Sequence, residues 1–139
     1  MLDSTCTIAP MTKGETYSRQ FTVTDDVYAG FMRIFNDKNP LHTDSAFARS
    51  KKFDDVVMHG NILGGFLSYF IGECLPVKNV IIHSQELKYY KPVYLNQTLN
   101  FTATVCELVE AVQVVILDFI FRDMSGLKIA KGKIQIGLI

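Results

Sequence analysis

Residues 59–75 read HGNILGGFLSYFIGECL, a long and mostly apolar stretch. It is too short and too interrupted to span a bilayer, and it predicts a central helix that is buried on most sides. Gly64, Gly65 and Gly72 lower its intrinsic helicity, each by about 1 kcal/mol relative to alanine. Their presence therefore suggests that another backbone approaches this helix closely. Pro76 ends the helix.

Four predicted strands follow the helix, at 80–90, 97–108, 112–122 and 128–138, and short turns separate them. Successive strands joined by short turns form an antiparallel sheet. A sheet with one buried face needs a cover, and the apolar helix is the candidate of sufficient length. The sequence thus predicts an α+β fold in which a curved antiparallel sheet wraps a long central helix. Residues 1–139 form one domain in this interpretation.

The residues before this helix predict smaller elements. Alternation over 17–23 indicates a first strand, and Thr24 is a typical N-cap for a second helix. That helix stops before Pro40, and a short helix over 44–48 follows, capped by Asp44 or Thr43. The apolar positions of the helix after Thr24 are Val27, Phe31, Ile34 and Phe35.

Composition excludes several classes of function. The 14 basic and 14 acidic residues balance, so no overall field draws the chain to nucleic acid or to an anionic membrane. Cys6, Cys74 and Cys106 are odd in number and far apart, which favours reduced thiols in a cytoplasmic protein over a disulfide framework or a zinc site. The stretch MLDSTCTIAP lacks the pattern of a secretory signal.

Residues 36–42 read NDKNPLH and carry the first candidate chemistry. Asn, Asp and Pro are common turn formers. A single Asp or His in a loop, such as Asp37 or His42 alone, is more often a cap or a solvated side chain than a catalyst. The two together are harder to explain in that way, because they lie five positions apart across a proline-bent turn. A carboxylate and an imidazole that face one small volume can activate a water molecule by general acid–base chemistry.

The second candidate is His59-Gly60, at the start of the long helix. Free backbone N–H groups and the positive end of the helix dipole favour an oxyanion there, and glycine lets a carbonyl approach. An isolated His-Gly is more often an ordinary loop before a helix. Combined with the Asp37–His42 pair, however, it predicts addition or elimination of water beside a thioester carbonyl, through an enolate-like state.

These motifs resemble those of the MaoC-like, (R)-specific enoyl-CoA hydratases, over almost the whole chain from residue 17. The matching stretches are NDKNPLHTD at 36–44, AFA at 46–48, Phe53, VMHG at 57–60 and SQELKYYKPV at 84–93. The resemblance implies a hotdog fold and syn addition of water to trans-2-enoyl thioesters. It implies no metal and no cofactor.

The resemblance also implies residue roles. Asp37 and His42 correspond to the catalytic acid/base pair, Asn39 to the amide that orients the loop or the water, and Gly60 to the backbone oxyanion donor. His59 and Asn61 are assigned to substrate binding. Two positions depart from the usual pattern: Asn36 precedes the aspartate, and Asn61 follows the glycine. Asn tolerates positive φ at position 36. Asn61 either contacts the substrate or narrows the pocket.

Two other functions stay open at this point: a hotdog acyl-CoA thioesterase and a non-catalytic acyl-thioester-binding module. The substrate is expected on either CoA or acyl carrier protein, and neither acyl length nor reaction direction follows from the residues. Uncovered sheet edges predict a homodimer or a higher homo-oligomer, as the resemblance also implies.

Overall fold

The computed structural model describes residues 10–139 and contains helices, strands and two irregular turns. Cys6 and most of the N-terminal stretch considered above lie outside these residues. The helices are α1 (Asp25–Phe35), α2 (Pro40–Thr43), α3 (Ser45–Ser50) and α4 (Asn61–Tyr69), and a π-helical turn spans Phe70–Cys74. The strands are β1 (Thr16–Thr22), β2 (Val80–Tyr89), β3 (Thr98–Val109), β4 (Val114–Arg122) and β5 (Lys128–Leu138); a 3-10 turn, Glu110–Val112, links β3 to β4.

The five strands form one antiparallel sheet in the order β1-β3-β4-β5-β2, as the sequence predicts for strands joined by short turns. Along β3 the side chains alternate between buried and partly exposed. The buried set includes Leu99, Phe101 and Val105, which pack with Phe121 of β4 and Ile134 of β5 in one core. One face of the sheet is therefore apolar and covered, and β1 and β2 are its edges.

The cover of that apolar face is α4 with its π-helical extension. Ile62, Leu63 and Leu67 of α4, and Phe70 and Ile71 of the π-helical turn, belong to the same core cluster as the strand residues. The sequence predicted one helix over 59–75; the structure has a nine-residue α-helix that continues directly into a five-residue π-helical turn and ends before Leu75.

The glycines of this helix do not have the role expected of them within the chain. A Cβ added at Gly65 or Gly72 would meet nothing within 4 Å, and at Gly64 it would meet only Gln85 Nε2 at 3.6 Å. The expectation of a close backbone neighbour is wrong for the described residues. Instead, Gly65 and Gly72 lie on an exposed stripe with Asn61 and Ser68, so the helix is also less enclosed than predicted.

The ends of α1 confirm the local sequence signals. The Thr24 side chain accepts a hydrogen bond from Val27 N, and Asn36 ends the helix with φ 58°, in the left-handed region. The apolar face is not what the pattern indicated, because Ile34 and Phe35 are 68% and 67% exposed. Within residues 10–139, no helix has the length and apolar character needed to cross a membrane.

Candidate active site

The loop after α1 is built from consecutive side-chain caps. Asp37 Oδ1 accepts a hydrogen bond from Asn39 N at 3.2 Å, and Asn39 Oδ1 accepts one from Leu41 N at 3.0 Å. Pro40 occupies the first turn of α2, where its missing N–H costs nothing. Pro40 therefore starts a short helix, whereas α1 has already ended at Asn36. The sequence interpretation of a simple turn missed this helix. It is α2 that carries His42.

Two hydrogen bonds fix the position and the tautomer of His42. Its Nδ1 lies 2.6 Å from the Val57 carbonyl oxygen, and Tyr28 donates its hydroxyl proton to the His42 carbonyl at 2.5 Å. A carbonyl oxygen only accepts, so Nδ1 carries the proton and the neutral ring presents the lone pair of Nε2. Burial raises the pKa of Tyr28, which keeps its hydroxyl protonated as a donor.

The free nitrogen of His42 faces Asp37. His42 Nε2 lies 3.9 Å from Asp37 Oδ2, with the two side chains 17% and 50% exposed respectively. This separation is too long for a direct hydrogen bond, and it suits a water molecule that contacts both groups. The structure thus brings together the two side chains that the sequence paired.

His59 lies behind this pair. It is 3% exposed, its ring stacks on that of His42 with centroids 4.0 Å apart, and Phe31 packs nearby at 4.7 Å. His59 Nε2 donates to the Asp37 carbonyl oxygen at 2.8 Å, while its buried Nδ1 has no hydrogen-bond partner among the described residues. The His59 ring therefore contacts both members of the pair: it stacks on the ring of His42, and it donates a hydrogen bond to the backbone of Asp37.

Asp37, His42 and His59 also offer three possible metal ligands within 4.8 Å of one another. Their arrangement does not favour a shared ion. The two imidazole rings are stacked with an interplanar angle of 31°, so their in-plane lone pairs run nearly side by side. Zinc takes ligands that converge on it from the corners of a tetrahedron.

The start of α4 supplies a different set of polar groups. Gly60 is the N-cap of α4, without a side-chain cap, and its φ and ψ of −59° and −34° are ordinary helical values. Within residues 10–139, the N–H groups of Gly60 and Asn61 have no backbone or side-chain acceptor. Free N–H groups at a helix start are favourable partners for a developing negative charge.

Two cavities meet the candidate residues. One of about 360 Å³ is lined by His42, His59 and Gly60 together with apolar side chains that include Val23, Phe53, Met58 and Leu63. Another, of about 440 Å³, is lined by Phe31, Phe35, Asp37, Asn61 and Gly65. The predicted site residues therefore line two different cavities: His42, His59 and Gly60 line the first, and Asp37 and Asn61 line the second. Asn39 lines neither and holds the loop instead.

Sequence reasoning missed three groups at this site: the Tyr28 hydroxyl, the Val57 carbonyl and the Tyr89 ring. The ring lies against Gly60, where an added Cβ would come within 2.9 Å of Tyr89 Cε1. No local signal identifies these contacts, because Tyr28 and Val57 are 14 and 15 residues from His42 in the sequence. Tyr89 falls within the matching stretch 84–93, but the resemblance gave it no role of its own.

The sequence of this chain matches a known protein family. The model of the MaoC like domain matches residues 9–117. The chain belongs to the MaoC-like domain family. The matched region contains α1 to α4, with Asp37, His42 and Gly60, as well as β1 to β3 and the first four residues of β4.

Two curated relatives of this MaoC-like chain are named (R)-specific enoyl-CoA hydratase. The protein from Rhodospirillum rubrum is 33% identical over 98 residues, which cover 70% of this chain and 67% of the relative. The protein from Aeromonas caviae is 34% identical over 82 residues, which cover 59% of this chain and 61% of the relative. The matches to these relatives thus span about two thirds of their length or slightly less.

A solved structure, the (R)-hydratase from A. caviae involved in PHA biosynthesis, superposes with a TM-score of 0.86 at 25% identity. The superposition covers 94% of this chain and 99% of that protein. This likeness and the five-stranded antiparallel sheet agree with the hotdog fold expected from the sequence.

Proposed function

We propose that this chain is an (R)-specific enoyl-thioester hydratase that also catalyses the reverse dehydration, with residues 1–139 acting as one hotdog domain. The observation that carries the proposal is the 3.9 Å gap between His42 Nε2 and Asp37 Oδ2, close in the fold to the free N–H of Gly60. The names of the relatives from R. rubrum and A. caviae support the same activity. In this proposal, α4 and its π-helical turn serve as the central helix of the hotdog.

The acid/base step uses a water molecule held between Asp37 and His42. The pair takes one proton from this water as its oxygen bonds to the β-carbon of the enoyl thioester. The α-carbon then receives a proton from the pair on the same face, so that one water is consumed and the protein returns to its starting protonation state. Positioned acid–base groups of this kind typically contribute 10²–10⁴-fold in rate.

The oxyanion step uses the start of α4. Addition of the water oxygen places negative charge on the thioester oxygen, and the Gly60 N–H donates a hydrogen bond to it. Because this N–H has no other acceptor within the described residues, it is preorganised for the charged state. In this assignment Asn61 lies beside the same helix start and contacts the substrate from the second cavity.

Asn39 and His59 support the reacting groups. Asn39 caps α2 and thereby sets the position of His42. His59 was expected to bind substrate; its burial and its hydrogen bond to the Asp37 carbonyl favour a role in holding Asp37 and His42 instead. The acyl chain is assigned to the apolar cavity of about 360 Å³. The carrier is CoA or acyl carrier protein, and both remain candidates.

We also propose a homodimer in the cytoplasm. The backbone of edge strand β2 is unpaired on the side away from β5, and Ile81 on this strand is 50% exposed. The exposed stripe along α4 and its π-helical turn carries Gly65 and Gly72, where a second helix can approach without meeting a Cβ. Covering these surfaces with a second copy removes an edge that otherwise invites aggregation. The free thiols of Cys74 and Cys106 fit a reducing compartment.

Sedimentation at micromolar concentration tests the dimer. The unmodified protein is expected at twice the monomer mass, and Ile81→Lys is expected to shift it towards monomer because a charge enters the proposed interface. Met124→Lys is the matched control, since Met124 is similarly exposed but lies in the turn between β4 and β5. A monomeric mass for the unmodified protein would remove this part of the proposal.

Incubation with crotonyl-CoA tests the activity. A hydratase removes the absorbance of the conjugated enoyl group without releasing thiol. A thioesterase releases thiol, and a binding module does neither. The proposal requires loss of the enoyl signal with no free thiol, and chiral analysis of the product should give the (R)-3-hydroxyacyl thioester. Repeating the assay with crotonyl-acyl carrier protein compares the two carriers.

A further inference from the structure

The Tyr89 hydroxyl lies beside the proposed oxyanion site, and the proposed reaction has no role for it. Tyr89 ends β2, and its ring lies against Gly60 at the start of α4. The three atoms nearest to a Cβ placed on Gly60 are all from this side chain: Cε1 at 2.9 Å, Cζ at 3.0 Å and the hydroxyl oxygen at 3.3 Å. The hydroxyl end of the ring, rather than its base, therefore faces Gly60.

This position brings the hydroxyl within reach of an oxygen bound at Gly60. Standard backbone geometry puts a Cβ about 2.5 Å from the nitrogen of the same residue. The Tyr89 hydroxyl oxygen is 3.3 Å from that Cβ position, so it lies at most about 5.8 Å from Gly60 N. Two hydrogen bonds of about 2.9 Å each can span that distance through one shared acceptor.

We propose that Tyr89 donates a second hydrogen bond to the thioester oxygen, which it shares with the Gly60 N–H. This inference rests on the proposed hydratase function and adds a catalytic residue to it. The phenol keeps its proton throughout: the hydrogen bond strengthens as charge moves onto the oxygen and weakens when the α-carbon is protonated. Within residues 10–139, the Tyr89 hydroxyl makes no hydrogen bond to another residue.

The surroundings of Tyr89 support its role as a neutral donor. Burial raises the pKa of this hydroxyl, so it remains protonated at neutral pH. The ring also lines the apolar cavity that His42 and Gly60 share. If the ring only filled space, phenylalanine would serve equally well. Tyr89→Phe therefore distinguishes a hydrogen-bond donor from a side chain that only fills the cavity.

Kinetics of Tyr89→Phe give the first readout. A donor whose bond strengthens in the transition state acts mainly on kcat, so kcat should fall about 10- to 100-fold with KM changing much less. The lower part of the usual range is expected because Tyr89 is 50% exposed. Tyr17→Phe is the matched control, since it removes the same atom from β1 at the opposite edge of the sheet; its kcat should equal that of the unmodified protein.

Infrared spectroscopy of bound butyryl-CoA with an isotope-labelled carbonyl gives a second readout that needs no turnover. The saturated thioester cannot be hydrated, and hydrogen bonds to its oxygen lower the carbonyl stretching frequency. The frequency in Tyr89→Phe should be higher than in the unmodified protein and in Tyr17→Phe. An unchanged frequency with kcat within twofold of the unmodified protein would overturn the inference, and so would a lack of butyryl-CoA binding.

The two readouts separate this inference from the proposed function. If the unmodified protein hydrates crotonyl-CoA and Tyr89→Phe matches it in both measurements, only the role of Tyr89 is wrong. If the unmodified protein does not hydrate crotonyl-CoA but the carbonyl frequency depends on Tyr89, the hydratase proposal fails and the contact with the thioester oxygen stands.

Discussion

Replacing Gly60 with alanine should reduce catalysis while leaving the fold intact. The backbone at Gly60 has φ −59° and ψ −34°, which alanine adopts freely, and the N–H is retained. The substitution therefore tests the space around Gly60 rather than backbone strain or loss of the donor. The new Cβ would lie 2.9 Å from Tyr89 Cε1 and 3.0 Å from Cζ.

The size of the effect follows from these distances. Carbon atoms in contact prefer separations of about 3.5 Å or more, so the Tyr89 ring has to move by roughly 0.6 Å. Because Tyr89 is half exposed, the ring can swing outward, and the cost in unfolding free energy should stay below about 1 kcal/mol. A displacement of this size beside the reacting oxygen is more serious, since about 1 Å can cost 10²-fold. We expect kcat/KM to fall at least about tenfold.

Hydration of crotonyl-CoA and a thermal melt measure the two effects together. Gly30→Ala is the matched control, because Gly30 lies in α1 and a Cβ there would meet nothing within 4 Å. That variant should keep its activity and gain up to about 1 kcal/mol from helix propensity. If Gly60→Ala retained the activity of the unmodified protein, the Tyr89 ring would not be fixed against Gly60, and the assigned oxyanion position would be wrong.

Two further predictions concern stability. Asn39→Ala should cost about 1 kcal/mol in unfolding free energy through loss of the α2 cap, whereas Asn39→Asp retains an acceptor; equal denaturant midpoints for the two variants would contradict the capping role. Burial and Glu15 raise the pKa of Tyr17 from 10.0 to about 12, so its contribution to stability is fully present below pH 10 and is lost as pH rises through 12. Tyr17→Phe should therefore flatten the fall in stability over this window, and parallel pH curves for the two proteins would count against it.

Most of the architecture could be predicted from local patterns. The five strands begin and end within two residues of their predicted limits, because alternating apolar residues and turn residues act over short distances. The N-cap role of Thr24 and the positive φ of Asn36 were equally predictable, since a cap hydrogen bond and a left-handed backbone depend on one residue and its immediate neighbours.

The short helix α2 could not be predicted in the same way. It has four residues, too few for an apolar period to be detected, and Asn-Pro is a common start for both a turn and a helix. The exposure of Ile34 and Phe35 was missed for a different reason: an apolar pattern shows which residues can be covered, but not whether the chain itself covers them.

The candidate site was predictable in its motifs and not in its contacts. Asp37 and His42 belong to one short stretch, so their proximity follows from the local chain. The contacts of His42 with Tyr28 and Val57, and of Tyr89 with Gly60, join separate elements of the fold. Such contacts depend on how α1, α2, α4 and β2 pack against one another. The apolar periodicity of a single element does not determine that packing.

The most direct test of the account compares Asp37→Asn, His42→Ala and the double variant in the hydration of crotonyl-CoA. If the two side chains act on one water, each single change should lower kcat by about 10²–10⁴, and the double variant should be little worse than the poorer single one. Melts should show all three folded, with a cost of about 1–3 kcal/mol for His42→Ala because the Val57 carbonyl loses its partner. Losses that multiply in the double variant would mean that the residues act independently, and near-normal turnover by Asp37→Asn would reduce Asp37 to a turn residue and contradict the account.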